Sequence, residues 1–376
     1  MESRANTTRA TKVEREVLPS PEELAVSLPL EERSRVVEGA REAIRGMLHG
    51  SDRERMLVIV GPCSLHDRDV ALDYAERLAR LAAATADELV VVMRAYFEKP
   101  RTRLGWKGIL NDPYLDGSCD LVAGLRLARG LLWEITGNGV ACGAEILDPN
   151  MPAYVGDLLS WAAIGARTSE SQVHRQVASA LEMPVGFKNS TDGRVEVAVD
   201  AMIAASQPHA FVGIGRDGRA QVMRSRGNPD CHVVLRGGRS PNYGPEQVAA
   251  AAGAAAEQGV ERPILIDCSH GNSGKDPRRQ GEVCRAALEQ FAGGRREILG
   301  VMLESNLRAG RQVWTPGGSL EYGVSITDAC IGWDETESLL WEMAKRLARL
   351  RRRGSLRAES PENPAAGSDR AVLAAG

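Results

Sequence analysis

Two sets of side chains in this sequence are equipped for chemistry. The first is cationic: Arg94, Lys99, Arg101, Arg167, Lys188 and Arg236. Gathering such charges in one place is unfavourable through repulsion and desolvation unless anions arrive to neutralise them. Arginine forks suit phosphate and carboxylate oxygens, and lysine acts as a point charge. If these residues converge, they predict one or two small substrates with several negative charges. The carboxylates expected beside them look too few to absorb all of them in ion pairs. The second set can ligate a metal: Cys63, His270, Glu304 and Asp328. A thiolate, an imidazole and two carboxylates suit one borderline divalent ion, Mn²⁺, Fe²⁺, Co²⁺ or Zn²⁺, better than Ca²⁺ or Mg²⁺. The ligands lack any local spacing signature, and a lone buried Cys or His is more often core than ligand. Everything therefore depends on what positions them.

The positioning elements are short apolar runs separated by helical stretches: 56–60, 89–93, 140–144, 161–166, 185–187, 232–235, 264–266 and 298–303. Strands alternating with helices imply parallel βα units, and eight units imply a closed (β/α)8 TIM barrel. An open doubly wound sheet with miscounted strands is the competing arrangement. The residues just beyond the runs favour the barrel. In order, the runs lead into Cys63, Arg94 with Lys99-Pro100-Arg101-Thr102 beyond it, Glu145, Arg167, Lys188, Arg236, His270 and Glu304. One charge after one strand is usually a solvated turn. Eight in succession are hard to explain that way, whereas a barrel turns all eight ends into one mouth.

The remaining segments frame this repeat. Residues 1–50 read as an N-terminal arm and helices: a loose arm over 1–18, a helix start at Ser20-Pro21-Glu22-Glu23, and a helix from about Glu31 to His49. Residues 51–351 read as the catalytic barrel and 352–376 as a disordered tail. Runs at 210–216 and 219–224 flank Asp217-Gly218, predicting a β-hairpin over about 209–226, inserted before the sixth barrel strand. Ser64-Leu65-His66-Asp67 looks like a capping box opening the first barrel helix. The histidines other than His270 read as structural.

Composition limits the function. The 376 residues are 43% hydrophobic and 26% charged, with net charge −3. That balance fits a globular protein and argues against nucleic-acid or anionic-membrane partners. A membrane helix and a signal peptide are not expected. Seven cysteines without CxxC pairs suit a reducing cytoplasm rather than a disulfide framework. The glycine-rich segments Gly237-Gly238 and Gly271-Asn272-Ser273-Gly274 are not GxGxxG motifs and no Walker A sequence is present, so nicotinamide and nucleoside triphosphate chemistry have no support.

In sequence order, GPCSLHD (61–67), MRAYFEKPRT (93–102), GWKG (105–108), NDPYLDGS (111–118), AEILDP (144–149), GARTSESQVHR (165–175), PVGFKNSTDG (184–193), LRGG (235–238), DCSHGNSGK (267–275), GVMLESNL (300–307) and YGVSITDACIGW (322–333) resemble the type I 3-deoxy-D-arabino-heptulosonate 7-phosphate (DAHP) synthases. The resemblance spans about residues 59–336. It implies a barrel with an N-terminal extension and added hairpin, assembled as a homodimer or homotetramer. It also implies condensation of phosphoenolpyruvate with erythrose 4-phosphate, the first step of the shikimate pathway. By the same resemblance, Arg94, Lys99 and Lys188 would hold the phosphoenolpyruvate carboxylate. Arg167, Arg236 and the Ala166 N–H would hold its phosphate. Glu145 would orient water, and Arg101 and Thr102 would take the sugar phosphate. Cys63, His270, Glu304 and Asp328 would hold the metal, while Lys99 and His270 would handle protons. Cys330 lies near ligand Asp328. It would cross-link to Cys63 on air oxidation of metal-free protein, which mass spectrometry would read.

One region departs from the family pattern. Relatives inhibited by amino acids have an effector pocket at positions matching Pro152, Leu181, Glu182, Phe211 and Gly213, usually with Ser where this chain has Glu182 and Gly213. A carboxylate there repels an amino acid's carboxylate and glycine removes a hydroxyl donor. The expectation is weak or absent inhibition by Phe, Tyr or Trp, as befits a copy serving secondary metabolism. The rivals are a sister synthase using arabinose 5-phosphate to make 3-deoxy-octulosonate 8-phosphate, and a non-catalytic sensor of phosphorylated metabolites.

Overall fold

The computed structural model describes residues 15–315 and 317–358, with side chains through Arg352. Most of the expected loose arm and of the expected tail lies outside the described residues. The first helix, α1 (Pro21–Ser27), begins as the sequence implies. Ser20 Oγ accepts from the Glu23 N–H at 3.2 Å, and the Ser20 N–H donates to Glu23 Oε2 at 2.6 Å. The second, α2 (Ser34–Leu48), starts three residues later than expected because residues 31–33 form a turn.

The barrel elements then alternate: β1 (Met56–Gly61), α3 (Arg68–Ala84), β2 (Leu89–Arg94), α4 (Leu121–Gly137), β3 (Ala141–Glu145), α5 (Pro152–Val155), β4 (Trp161–Ile164), α6 (Gln172–Ala178), β5 (Val185–Lys188) and α7 (Glu196–Ala205). The hairpin β6 (Ala210–Ile214) and β7 (Ala220–Arg224) comes next. The chain continues through β8 (Cys231–Leu235), α8 (Pro245–Glu257), β9 (Ile264–Asp267), α9 (Gln280–Ala292), β10 (Ile298–Glu304) and α10 (Trp333–Ala358). All strands except the hairpin close into one parallel barrel in the order β1-β2-β3-β4-β5-β8-β9-β10, with β10 pairing back to β1. The open doubly wound sheet is thereby excluded.

The barrel strands are buried on both faces, which is why they read as unbroken apolar runs. Alternate residues such as Leu57, Ile59, Val90, Val92, Leu265 and Met302 fill the lumen. Their neighbours Val58, Val60, Val91 and Met93 pack outward with the surrounding helices. From α2, Ile44, Met47 and Leu48 join the lumen cluster and plug the end of the barrel opposite the mouth. Trp161 fits inside because Gly143 and Gly186 make room for it. A Cβ at Gly186 would stand 2.6 Å from Trp161 Cζ2. The Trp161 indole donates to His232 Nε2 at 2.9 Å, and burial pushes His232 down to about 4, so it stays neutral as a core residue.

Two local expectations are corrected. Residues 64–67 do not form a capping box. Asp67 alone caps α3, accepting from the N–H groups of Asp69 and Val70, while Ser64 is drawn to Thr327 Oγ1 at 2.8 Å. The C-terminal helix continues through Ala358, so the tail does not begin at 352. Backbone hydrogen bonding carries that helix past the point where apolar periodicity ends.

Candidate active site at the barrel mouth

The C-terminal ends of the barrel strands place most of the chemically equipped residues directly. Arg94 ends β2, Glu145 ends β3, Lys188 ends β5 and Glu304 ends β10. Cys63, Arg236 and His270 stand one to three residues past β1, β8 and β9, and Arg167 stands three past β4. Asp328 arrives from the loop before α10.

Cys63, Glu304 and Asp328 present ligand atoms that all lie within 4.8 Å of one another. His270 stays just outside that group, with Nε2 3.9 Å from Glu304 Oε1. Its other nitrogen, Nδ1, lies 3.0 Å from Asp267 Oδ2 and 2.7 Å from Ser269 Oγ. A ring anchored at Nδ1 by a carboxylate leaves the Nε2 lone pair turned towards Glu304, the arrangement of a metal-ligating histidine. The donor set and this support fit a borderline divalent ion. Burial raises the Cys63 thiol and Glu304 adds to the shift, with Lys99 and Arg94 opposing both. All seven cysteines, Cys330 included, are free thiols.

The cations surround this group. Arg94 is fully buried and donates to Glu304 Oε1 at 3.1 Å. Lys99 Nζ donates to the Cys63 carbonyl at 2.9 Å and approaches its Sγ at 3.2 Å. Lys188 Nζ donates to Asp267 Oδ2 at 2.9 Å. Arg167 reaches Thr102 Oγ1 at 3.3 Å, joining the loops after β4 and β2. Arg101 is exposed and donates to the Trp106 carbonyl at 2.7 Å. Arg236 is half-buried, and burial lowers its pKa while Asp267 opposes the shift. Glu145 packs over Gly165, where any side chain would collide with its Oε1, and so faces the turn that carries Ala166.

The expected shortage of carboxylates is half right. Glu304 and Asp267 neutralise Arg94 and Lys188, whereas Lys99, Arg101, Arg167 and Arg236 make no ion pair with a carboxylate among the described residues. Asp267 is the main residue that sequence reading missed. Burial would raise its pKa, but Lys188 and His270 outweigh that and hold it well below the ordinary range. It forms the last position of a strand that otherwise reads as apolar; the only available signal was an acid where a hydrophobe belongs.

Three buried or half-buried amides lock the loops after β5, β8 and β9. Asn189 Oδ1 accepts from the Arg236 N–H at 2.8 Å and from Asn242 Nδ2 at 3.2 Å, while its Nδ2 donates to the Gly237 carbonyl at 3.0 Å. Asn272 donates to the carbonyls of Leu235 and Asp267 at 3.1 and 2.9 Å. Backbones touch in the same place: a Cβ on Gly271 would stand 2.7 Å from the Gly237 carbonyl carbon.

On the outside, Pro152, Leu181, Glu182, Phe211 and Gly213 do come together, lining a cavity of about 270 Å³ between the hairpin and α5–α6. Its described lining includes Asp157 and Glu182 but no lysine or arginine. Glu182 pairs with Arg41 at 3.5 Å, and the space beside Gly213 is taken by Met223, 2.7 Å from where a Cβ would be.

A closed βα barrel with cations and a mixed thiol–carboxylate group at the C-terminal ends of its strands defines a barrel enzyme for small anionic substrates. The chain matches the DAHP synthetase I family over residues 29–341, and it belongs to that family. It is 50% identical over 330 residues to the Tyr-sensitive phospho-2-dehydro-3-deoxyheptonate aldolase of Escherichia coli, covering 87% of this chain and 92% of the relative. It is 46% identical over 353 residues to the phospho-2-dehydro-3-deoxyheptonate aldolase of Corynebacterium glutamicum, covering 92% and 95%. The solved phospho-2-dehydro-3-deoxyheptonate aldolase of Francisella tularensis superposes with TM-score 0.86 at 42% identity, covering 89% of this chain and 98% of that one.

Proposed function

We infer that this chain is a DAHP synthase, joining phosphoenolpyruvate to erythrose 4-phosphate with water and releasing inorganic phosphate. The observation that carries the reading is the gathering of Arg94, Lys99, Lys188 and the Cys63–Glu304–Asp328 group at one barrel mouth, in a chain with relatives of that name. Arg94, Lys99 and Lys188 bind the phosphoenolpyruvate carboxylate. Arg167, Arg236 and the Ala166 N–H bind its phosphate. Arg101 and Thr102 bind the phosphate of the sugar. Cys63, His270, Glu304 and Asp328 hold one divalent ion, which when bound supplies Lewis acidity to the aldehyde.

The chain's own contribution is alignment and charge. C3 of phosphoenolpyruvate is a weak nucleophile, so two anions must be held close against their repulsion and in one orientation. Fixed cations in a partly dry mouth do this without reorganising during reaction. Glu145 orients the water that reaches C2 as cationic character develops there, and phosphate then leaves by C–O cleavage. Lys99 holds and moves protons beside the aldehyde; His270, with Nε2 turned towards the ligand group and Nδ1 held by Asp267 and Ser269, has no nitrogen left for that task.

The test is a phosphate-release assay with both substrates. Turnover is expected with erythrose 4-phosphate and Mn²⁺, to be lost on chelation and restored by metal, and to be much slower with arabinose 5-phosphate. Metal-independent turnover, or preference for the five-carbon sugar, would contradict the assignment. Light scattering is expected to show a homodimer or homotetramer, and no helix among the described residues is long and apolar enough to cross a membrane.

A further inference from the structure

Tyr96 lies two residues beyond Arg94, so it continues the inward-facing series Val90, Val92, Arg94 and packs with the lumen cluster. It is 1% exposed. Its ring stacks on the Arg94 guanidinium at 3.9 Å and lies 5.8 Å from Lys99 Nζ. Its hydroxyl feels Arg94, Lys188, Glu145 and Asp267, groups contributed by four different barrel strands. Yet the Tyr96 Oη is buried without a hydrogen-bond partner, and so is Arg94 Nε beside it. A buried hydroxyl in that condition is destabilising, and buried tyrosines ordinarily find a partner. Phenylalanine would fill the same space and stack on the same guanidinium without that penalty. The neighbouring cations have partners already: Glu304 for Arg94, Asp267 for Lys188 and Cys63 for Lys99. The phenol and the adjoining Arg94 Nε are left without partners among these engaged groups.

We propose that the Tyr96 hydroxyl is a substrate-binding group, donating a hydrogen bond to the carboxylate of phosphoenolpyruvate between Arg94 and Lys188. The aromatic ring keeps Arg94 flat, and the hydroxyl reads the anion that Arg94 binds. This rests on the functional reading above.

The test is Tyr96→Phe, read by steady-state kinetics, equilibrium binding of phosphoenolpyruvate and thermal melting. A hydrogen bond to a charged group predicts a KM and Kd for phosphoenolpyruvate raised about tenfold or more. The KM for erythrose 4-phosphate and kcat should stay near wild type, as for an interaction made equally in ground and transition states. Ligand-free Y96F should melt at or above the wild-type temperature, because an unpartnered hydroxyl has gone, and should gain less from added phosphoenolpyruvate. Tyr96→Leu removes the stack as well and should lower kcat too. An unchanged KM for phosphoenolpyruvate in Y96F, or a lower melting temperature without ligand, overturns the proposal. Absence of phosphoenolpyruvate binding by the wild type overturns the functional reading along with it, so the two failures are distinguishable.

Discussion

At Asp267 one fully buried carboxylate serves Lys188 at 2.9 Å, His270 Nδ1 at 3.0 Å and Ser269 Oγ at 2.6 Å. Replacing it with asparagine leaves Lys188 charged and unpaired in the lumen, a change that costs about 3–5 kcal/mol. Asp267→Asn is therefore expected to melt far below wild type, and to lose metal affinity because His270 is no longer oriented. Calorimetry and a metal titration check the two effects separately. Glu98 behaves in the opposite sense. Burial pushes its carboxyl up to about 8 from 4.5, with the Asp148 N–H opposing the shift. The folded state thus keeps a proton that the unfolded chain releases near its ordinary value. That contribution is fully present below about pH 4.5, shrinks as the pH rises, and is gone above about 8. Glu98→Gln should melt higher than wild type at pH 8, the gap closing towards pH 4.5; a gap of constant size would contradict it. Glu98 does not announce itself in the sequence, because its signal is desolvation, which only neighbours create.

The loops after β5, β8 and β9 act as one element. Lys188, Arg236 and His270 belong to separate strands, and the Asn189–Asn242–Asn272 amides fix their relative positions. Asn189→Ala strands the Arg236 N–H and should cost about 1–3 kcal/mol of stability. It should also weaken competitive inhibition by inorganic phosphate, which a purely structural role would leave unchanged. The hairpin is a second element with a functional edge. Its cavity is lined by apolar groups, Asn150, Asp157 and Glu182, so an amino acid's carboxylate finds no cation among the described lining residues. Phe, Tyr and Trp at submillimolar concentration are expected to leave most of the rate intact; strong loss in an inhibition assay would refute this. The strands and the hairpin were legible in the sequence, whereas the amide lock was not. Strand runs fell within two residues of their observed ends, and the capping box at Ser20 was read from four letters. The one at Ser64 was misread because Thr327, far along the chain, competes for the same hydroxyl.

At the scale of the whole molecule, closure is what makes the site. Cys63 and Asp328 are distant in sequence, and β10 pairing with β1 brings their two loops to the same rim. Removing metal should cost little fold stability, since eight paired strands and the lumen core hold without it. A chelated protein is therefore expected to melt within a few degrees of the loaded one while losing turnover, measurable by calorimetry and assay on the same sample. The residue types, their order after apolar runs and the alternation of strand and helix are local properties, so the sequence by itself determined the barrel class and which cations and candidate ligands follow its strands. Which cations are paired, which hydroxyl lacks a partner and which carboxyl keeps its proton depend on distance and desolvation. Those arise only when the strands close, and so the tertiary structure alone decided them.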